Sequence, residues 1–373
     1  GDGIETNKEE ACRYFQMSAD KGNVDGMYKY AMMLKDGQGT EKDEEESCRY
    51  FKMAINKGHV DSMYQYGFML KEGLGVPQNA REAARCFKHA SEKGQVDAMY
   101  SYANLLKEGV GVVQNDKEAS RYYKMAADNG HIGAMYDYAL MLDKGKNPNK
   151  KEACIYYKMA ADKGHVNSML NYALILNNGD GVPSNQITAS KYFKLAADNG
   201  CQEAMNHYLA ILAAESDSQL NEEEKARYCK MSADSGNVDS MNKYGIMLQE
   251  GKGVKMDKEE ASKYFKRSGD LGNIEGMYNY AKMKDEGDGI PINKEESLQY
   301  YKMAADKGNN DAAFRYAMLL DKGVEPNKEE ACKYYKIVAD SGNINAMLNY
   351  ATILRKGDGI EENKEEAARY FKL

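Results

Sequence analysis

The chain holds 373 residues, with 51 Lys+Arg against 58 Asp+Glu, a formal charge of −7, 7 Cys and no Trp. Mild acidity excludes the basic stripe of a nucleic-acid binder, and no stretch approaches the roughly 18 consecutive apolar residues of a membrane span. Gly1-Asp2-Gly3-Ile4-Glu5 lacks the basic and apolar regions of a signal peptide, although a fragment would have lost one. An odd number of cysteines, none closer than the 28 residues from Cys201 to Cys229, is a poor disulfide framework. With no Asn-x-Ser/Thr sequon present, these features predict a cytoplasmic location.

Length alone would suggest two or three domains of about 150 residues each. The sequence instead repeats itself about every 36 residues, so the whole of 1–373 reads as a single array. Residues 1–25 are the second half of one unit. Units then begin at Gly26, Ser62, Ala98, Ala134, Ser168, Ala204, Ser240, Gly276, Ala312 and Ala346, each but one at an Ala/Ser/Gly-Met pair, and the given sequence stops inside the second helix of the last. Those at Ala134 and Ala312 are 34 residues long, both shortened in the same loop. No polar cap closes either end, so the array reads as a piece of a longer protein, and its apolar ends offer a route to a homodimer.

The unit Ala98–Gly133 shows the logic. Ala98, Tyr102, Leu105 and Leu106 follow the i, i+4, i+7, i+8 spacing of an amphipathic helix, here helix A. Gly109 stops it, as a residue tolerant of the left-handed conformation does. After the loop Val110–Asn115, helix B carries the stripe Ala119, Tyr122, Tyr123, Ala126, Ala127 and ends at Gly130. Ser120, Arg121, Lys124 and Asp128 form its solvated face. Each unit is thus a helix hairpin that cannot bury its apolar stripe alone, so stacking is obligatory. The expectation is an all-α solenoid of about ten helix hairpins, matching the ten units. Nine methionines at the second position of helix A, among them Met27, Met63, Met99 and Met135, are read as packing toward the next unit.

The loops Gly73-Leu74-Gly75-Val76-Pro77 and Gly251-Lys252-Gly253-Val254, the latter ending in Asp257, and the signature Ala119…Tyr122…Ala126-Ala127…Gly130 resemble the Sel-1-like repeat family, a relative of tetratricopeptide repeats. The resemblance covers essentially the whole chain. Two departures stand out: the family's Leu-Gly and Tyr positions are Tyr102-Ala103 and Leu106, and Tyr122 stands where the family has Trp. Membership implies an α/α right-handed superhelical solenoid with helix A on the concave side, and an adaptor role in protein complexes. One unit, Ala204–Asp239, is aberrant: Ala213-Ala214-Glu215-Ser216-Asp217-Ser218-Gln219-Leu220 replaces the Gly-x-Gly loop. There helix A is expected to run on. Neutral drift is one reading of this unit, and a kink or partner contact the other.

Sites of chemistry are mostly absent. The Gly-x-Gly loops lack a preceding strand and a Gly-Lys-Ser/Thr ending, so a turn explains them better than a phosphate. Asp180 and Asp358 lack the run of oxygen ligands of a calcium loop. His59, His131 and His165 follow the helix B glycine singly, without a second ligand at metal spacing, and stacking could at most pair His131 with His165. Glu44-Glu45, Glu259-Glu260 and Glu295-Glu296 open helix B, where negative charge complements the helix dipole. No nucleophile elbow, zinc-protease helix or kinase motif is present. No enzyme activity, cofactor or metal is predicted.

The copies also separate scaffold from surface. Tyr at the fifth position of helix A, from Tyr30 to Tyr350, recurs in every unit and is scaffold. The third, seventh and tenth positions share one face, read as lying opposite helix B and toward the concavity. In the first units this face is Tyr28, Met32, Lys35; Tyr64, Phe68, Lys71; Tyr100, Asn104, Lys107; and Tyr136, Leu140. Apolar residues in a contiguous exposed strip mark an interaction surface, and Tyr is favoured there. Mutual packing of neighbouring A helices is the competing account. The predicted function is a non-catalytic protein-interaction scaffold whose concave face binds an acidic, apolar protein or peptide segment. The alternative is the regulatory repeat region of a larger enzyme, such as a kinase or a ubiquitin-system component.

Overall fold

The computed structural model describes residues 7–214, 219–323 and 326–372. These form 21 α-helices and, among the described residues, no strand. Two compact units are present, 1–196 and 197–373. The first holds α1 (Lys8–Asp20), α2 (Val24–Asp36), α3 (Glu44–Asn56), α4 (Val60–Glu72), α5 (Ala80–Glu92), α6 (Val96–Glu108), α7 (Asp116–Asp128), α8 (Ile132–Lys144), α9 (Lys150–Asp162), α10 (Val166–Asn178) and most of α11 (Gln186–Asp198). The second holds α12 (Gln202–Ala214), α13 (Gln219–Asp234), α14 (Val238–Glu250), α15 (Lys258–Asp270), α16 (Ile274–Glu286), α17 (Lys294–Asp306), α18 (Asn310–Lys322), α19 (Lys328–Asp340), α20 (Ile344–Lys356) and α21 (Lys364–Lys372). Even-numbered helices are A helices and odd-numbered ones B helices, so the chain is an α solenoid of helix hairpins.

The helix boundaries follow from a few repeated residues. Helix B is opened by Asn or Asp: the Glu118 N–H donates to Asn115 Oδ1 at 3.0 Å, and the Asn115 N–H closes the loop onto Leu106 O at 2.8 Å. Helix A ends at a left-handed glycine, Gly109 with φ 74°, whose N–H reaches Leu105 O. The loop's second glycine has another duty. A Cβ on Gly111 (φ 71°) would collide with the Ala80 carbonyl at the start of the preceding helix B, so the Gly-x-Gly loop is both a turn and an inter-repeat contact.

Packing is dominated by tyrosine. Tyr102 meets Tyr122 edge-on at 4.9 Å, and the same T-shaped pair recurs as Tyr30–Tyr50, Tyr138–Tyr156 and Tyr280–Tyr300. This is the arrangement that the ring quadrupole favours. The helix B ring of the pair also reaches back one repeat: Tyr156 donates to Asp128 at 2.6 Å, Tyr264 to Asp234 at 2.9 Å and Tyr370 to Asp340. The next residue of helix B is a fully buried ring, as in Phe51, Phe87, Tyr123 and Tyr157. Each such ring is worth roughly 1.5–3 kcal/mol of burial. Met27, Met63, Met99 and Met135 are buried beside them.

In the aberrant repeat α12 is described to Ala214, and residues 215–218, over which helix A is expected to run on, lie outside the described residues. α13 has 16 residues where the other B helices from α3 to α19 have 13. Asn221 stands at the position where Asn115 caps helix B in a regular repeat, yet it lies inside α13. Its side-chain amide donates to Leu212 O at 3.1 Å, the carbonyl that a backbone N–H satisfies in the regular units. A side chain has thereby taken over a backbone bond, which lets the helix start earlier.

Candidate protein-binding face

The third-position tyrosines are placed by helix B, not away from it. The Tyr28 ring lies 6.1 Å from Phe51, Tyr64 5.7 Å from Phe87, Tyr100 5.8 Å from Tyr123, and Tyr136 6.1 Å from Tyr157. The seventh position behaves alike: Tyr123 donates to Asn104 Oδ1 at 2.5 Å. The face therefore does not lie opposite helix B, as its helical phase alone indicates, but runs along the edge of the A–B contact. The reason is reach. A long side chain in a helix leans over the preceding turn, and a tyrosine is long enough to cover the buried ring beneath it.

The far side of each ring meets the start of the next A helix. Tyr28, Tyr100 and Tyr136 pack on His59, His131 and His165 at 4.7, 4.2 and 4.7 Å. These histidines, read from the sequence as lone residues, cap helix A. Backbone N–H groups of Ser62, Ala134 and Ser168 donate to their Nδ1 atoms at 3.1, 2.9 and 3.2 Å. Asn23 and Gln95 do the same work elsewhere, through Gly26 and Ala98. Burial holds His131 and His165 below the usual histidine range, so the neutral, hydrogen-accepting form is favoured.

The tenth-position lysines do not stand free. Lys35 donates to Gln65 at 2.9 Å, Lys107 lies 3.8 Å from Asp137 and over the Tyr123 ring, and Lys71 pairs with its neighbour Glu72 at 2.9 Å. Tyr100 donates to Asp137 at 2.9 Å, and burial with this carboxylate pushes its hydroxyl up to about 12. Gln65 and Asp137 both occupy the fourth position of helix A, which sequence reasoning passed over. Its variability from copy to copy was the available signal. Asn279 repeats the contact by donating to Asn242 at 3.0 Å. The fourth position of one A helix thus meets the third and tenth positions of the one before.

What remains accessible is an apolar strip. Phe68 is 37% exposed, while Met32, Leu140, the four tyrosines, Asn104 and the three lysines are half-buried. The packing of Tyr28, Tyr100 and Tyr136 between a helix B ring and a cap leaves an edge, not a face, for contact. Asp180 and Asp358 pair with Lys150 and Lys328, and no group of three or more metal-ligating side chains occurs among the described residues. No described helix is long and apolar enough to cross a membrane.

Helix hairpins joined in tandem by capped, glycine-closed turns define an α solenoid whose side chains are spent on packing and surface. The Sel1 repeat model matches residues 1–23, 24–59, 60–95, 96–131, 132–165, 166–201, 238–273, 274–309, 310–343 and 344–373. The chain belongs to the Sel1 repeat family, whose members are generally protein-interaction scaffolds. The unmatched residues 202–237 are nearly those of the aberrant repeat. Among solved structures, the chain is similar to c5321, described as a protective antigen of uropathogenic Escherichia coli with an SLR fold. That likeness has a TM-score of 0.74 at 22% identity, covering 97% of this chain and 78% of that one. It is also similar to a Sel1 repeat protein from Oxalobacter formigenes, with a TM-score of 0.57 at 20% identity over 85% and 95% of the two chains. None of the curated proteins matches the chain in sequence.

Proposed function

We propose that this chain is a non-catalytic scaffold that holds an extended or helical segment of a partner protein along the strip of Tyr28, Tyr64, Tyr100 and Tyr136. Met32, Phe68 and Leu140 would form an apolar floor, interrupted by the polar Asn104. Lys35, Lys71 and Lys107 would meet acidic residues of the segment. The observation that carries this reading is the repetition of half-exposed apolar side chains at the same helix A positions. The existing lysine contacts are no obstacle. Lys107 and Asp137 form a half-exposed pair at 3.8 Å, worth about 0.2–1 kcal/mol, which a partner carboxylate can replace. The seven unpaired cysteines fit a cytoplasmic setting.

The test is the double substitution K71E/K107E. Its affinity for a protein captured by the wild-type chain should fall by about tenfold or more at low salt, with the difference shrinking as salt screens the charges. Unchanged affinity and unchanged salt dependence would discard the strip as the binding face.

A further inference from the structure

The helix B aromatic residue at the position of Tyr123 is replaced in one repeat only. Where the other copies carry Phe87, Tyr123, Phe193, Phe265 or Tyr301, α13 carries Cys229. The third-position ring that would cover it is also missing, because α12 has Asn206 there, followed by Ala210 and Ala213 at the seventh and tenth positions. The space of two rings is left open as a cavity of about 570 Å³ between α12, α13 and α14. Cys229 is at its floor, only 6% exposed, and Leu209, Ile246 and Met247 form apolar walls. Elsewhere a tyrosine pair fills this place, as Tyr100 does on Tyr123.

The rim has a charge to match. Lys243 occupies the fourth position of α14, where Gln65, Asp137 and Asn279 are each bonded by the preceding A helix. Asn206 and Ala213 hold the third and tenth positions of the preceding A helix, Asp239 one turn before Lys243 accepts from Asn273 at 2.8 Å, and no described residue is hydrogen-bonded or ion-paired to the Lys243 ammonium. Lys243 lines the same cavity as Cys229. Glu222 is already held by Lys225 at 2.7 Å and Lys252 at 3.8 Å. Glu250 lies two turns further along α14, about 10 Å away.

We infer that this cavity is a socket for an aromatic side chain of a partner protein, with an adjacent carboxylate of that partner paired to Lys243. The inserted ring takes the place that a ring pair such as Tyr100 on Tyr123 fills elsewhere, against Leu209, Ile246 and Met247. The carboxylate gives Lys243 the bond that its counterparts have. A ring in a desolvated pocket beside a charge pair is the arrangement of an interface anchor. The inference does not rest on the strip of the first unit.

The probe is N-acetyl-L-phenylalanine, titrated into the whole chain carrying labelled Leu, Ile and Met methyl groups. Saturable millimolar binding is expected, as for a fragment-sized ligand, with shifts centred on Leu209, Ile246 and Met247. The uncharged amide of the probe, and the variant Lys243→Gln, should each weaken binding by about threefold to tenfold. Cys229→Phe, which refills the cavity, should abolish it, and Asn206→Tyr fills the same space from the opposite helix should the first variant fail to fold. K71E/K107E should leave it unchanged, which separates failure here from failure of the first-unit strip. Equal binding of N-acetyl-leucine, shifts spread over the chain, or binding unaltered in both filled variants would overturn the proposal.

Discussion

The repeat Ala98–Gly133 and the repeat Ala204–Asp239 share a skeleton and differ in its coverings. Both keep the edge-on tyrosine pair, Tyr102–Tyr122 at 4.9 Å and Tyr208–Tyr228 at 5.0 Å. Tyr228 also bonds to the preceding helix B, at 2.7 Å from Asp198, as Tyr156 and Tyr264 do in their repeats. Only the first has the second ring pair, Tyr100 over Tyr123, and the glycine-closed loop. Registration of one hairpin on the next is therefore carried by one set of tyrosines, and the cover of the A–B edge by another. The second set can be lost without the first.

The strongest way to break that comparison is to open in a regular repeat the space that the aberrant one already has. Phe87→Ala removes a ring with 1% exposure, and should cost about 3–5 kcal/mol in denaturant-induced unfolding. Cys229→Ala removes one heavy atom beside an existing cavity and should cost about 1 kcal/mol or less. Equal losses would mean that the two positions are not equivalent in the stack.

The hairpins were legible in the sequence because their stripe repeats at helical spacing between glycines, and burial of Ala119, Tyr122, Tyr123, Ala126 and Ala127 matches that spacing. The caps were not, because Asn23, His59, Gln95 and His131 share an acceptor atom and not a residue type. The cavity was hidden for a different reason. Cys229 was weighed among cysteines, although its alignment with Tyr123 and Phe265 shows a missing ring. The face of the third position was misjudged because helical phase gives the direction of Cβ, while a tyrosine ring ends some 6 Å away from it, on whichever neighbour it can cover.

A finer test bears on the registering set. Tyr264 donates to Asp234 at 2.9 Å, a bond to a charged acceptor. Tyr264→Phe should cost about 1.5 kcal/mol. Tyr122 faces Glu92 one repeat back instead of an aspartate, and its hydroxyl has no hydrogen-bond partner among the described residues. Tyr122→Phe should thus be nearly neutral by the same denaturant assay. A comparable cost for both would show that the Tyr–Asp bond contributes nothing to registration.

The smallest effect is one of pH, and it separates the repeats capped by histidine from those capped by asparagine. His131 Nδ1 accepts from the Ala134 N–H at 2.9 Å, with Asp97 3.7 Å from its Nε2 and the Tyr100 ring stacked on it. Asp137 also faces it, as it does His165. Burial outweighs these carboxylates and holds both histidines below their ordinary value of 6.5. A group with a depressed folded-state value binds fewer protons in the fold than in the unfolded chain. The caps are therefore fully stabilising above pH 6.5 and are lost as pH falls through that value. Protonation places a second donor against the Ala134 N–H, removing a cap worth about 1 kcal/mol. Melting temperatures should fall between about pH 7 and 5 in the wild type, and less steeply in His131→Asn/His165→Asn, which keeps an acceptor as Asn23 does. Carboxylates do not confuse the window. Glu296, held to about 2 by the Tyr280 hydroxyl and by Lys266 and Lys284, loses its contribution only as pH falls below 4.5. Identical slopes for the wild type and the double variant above pH 5 would show that the histidines cap without titrating.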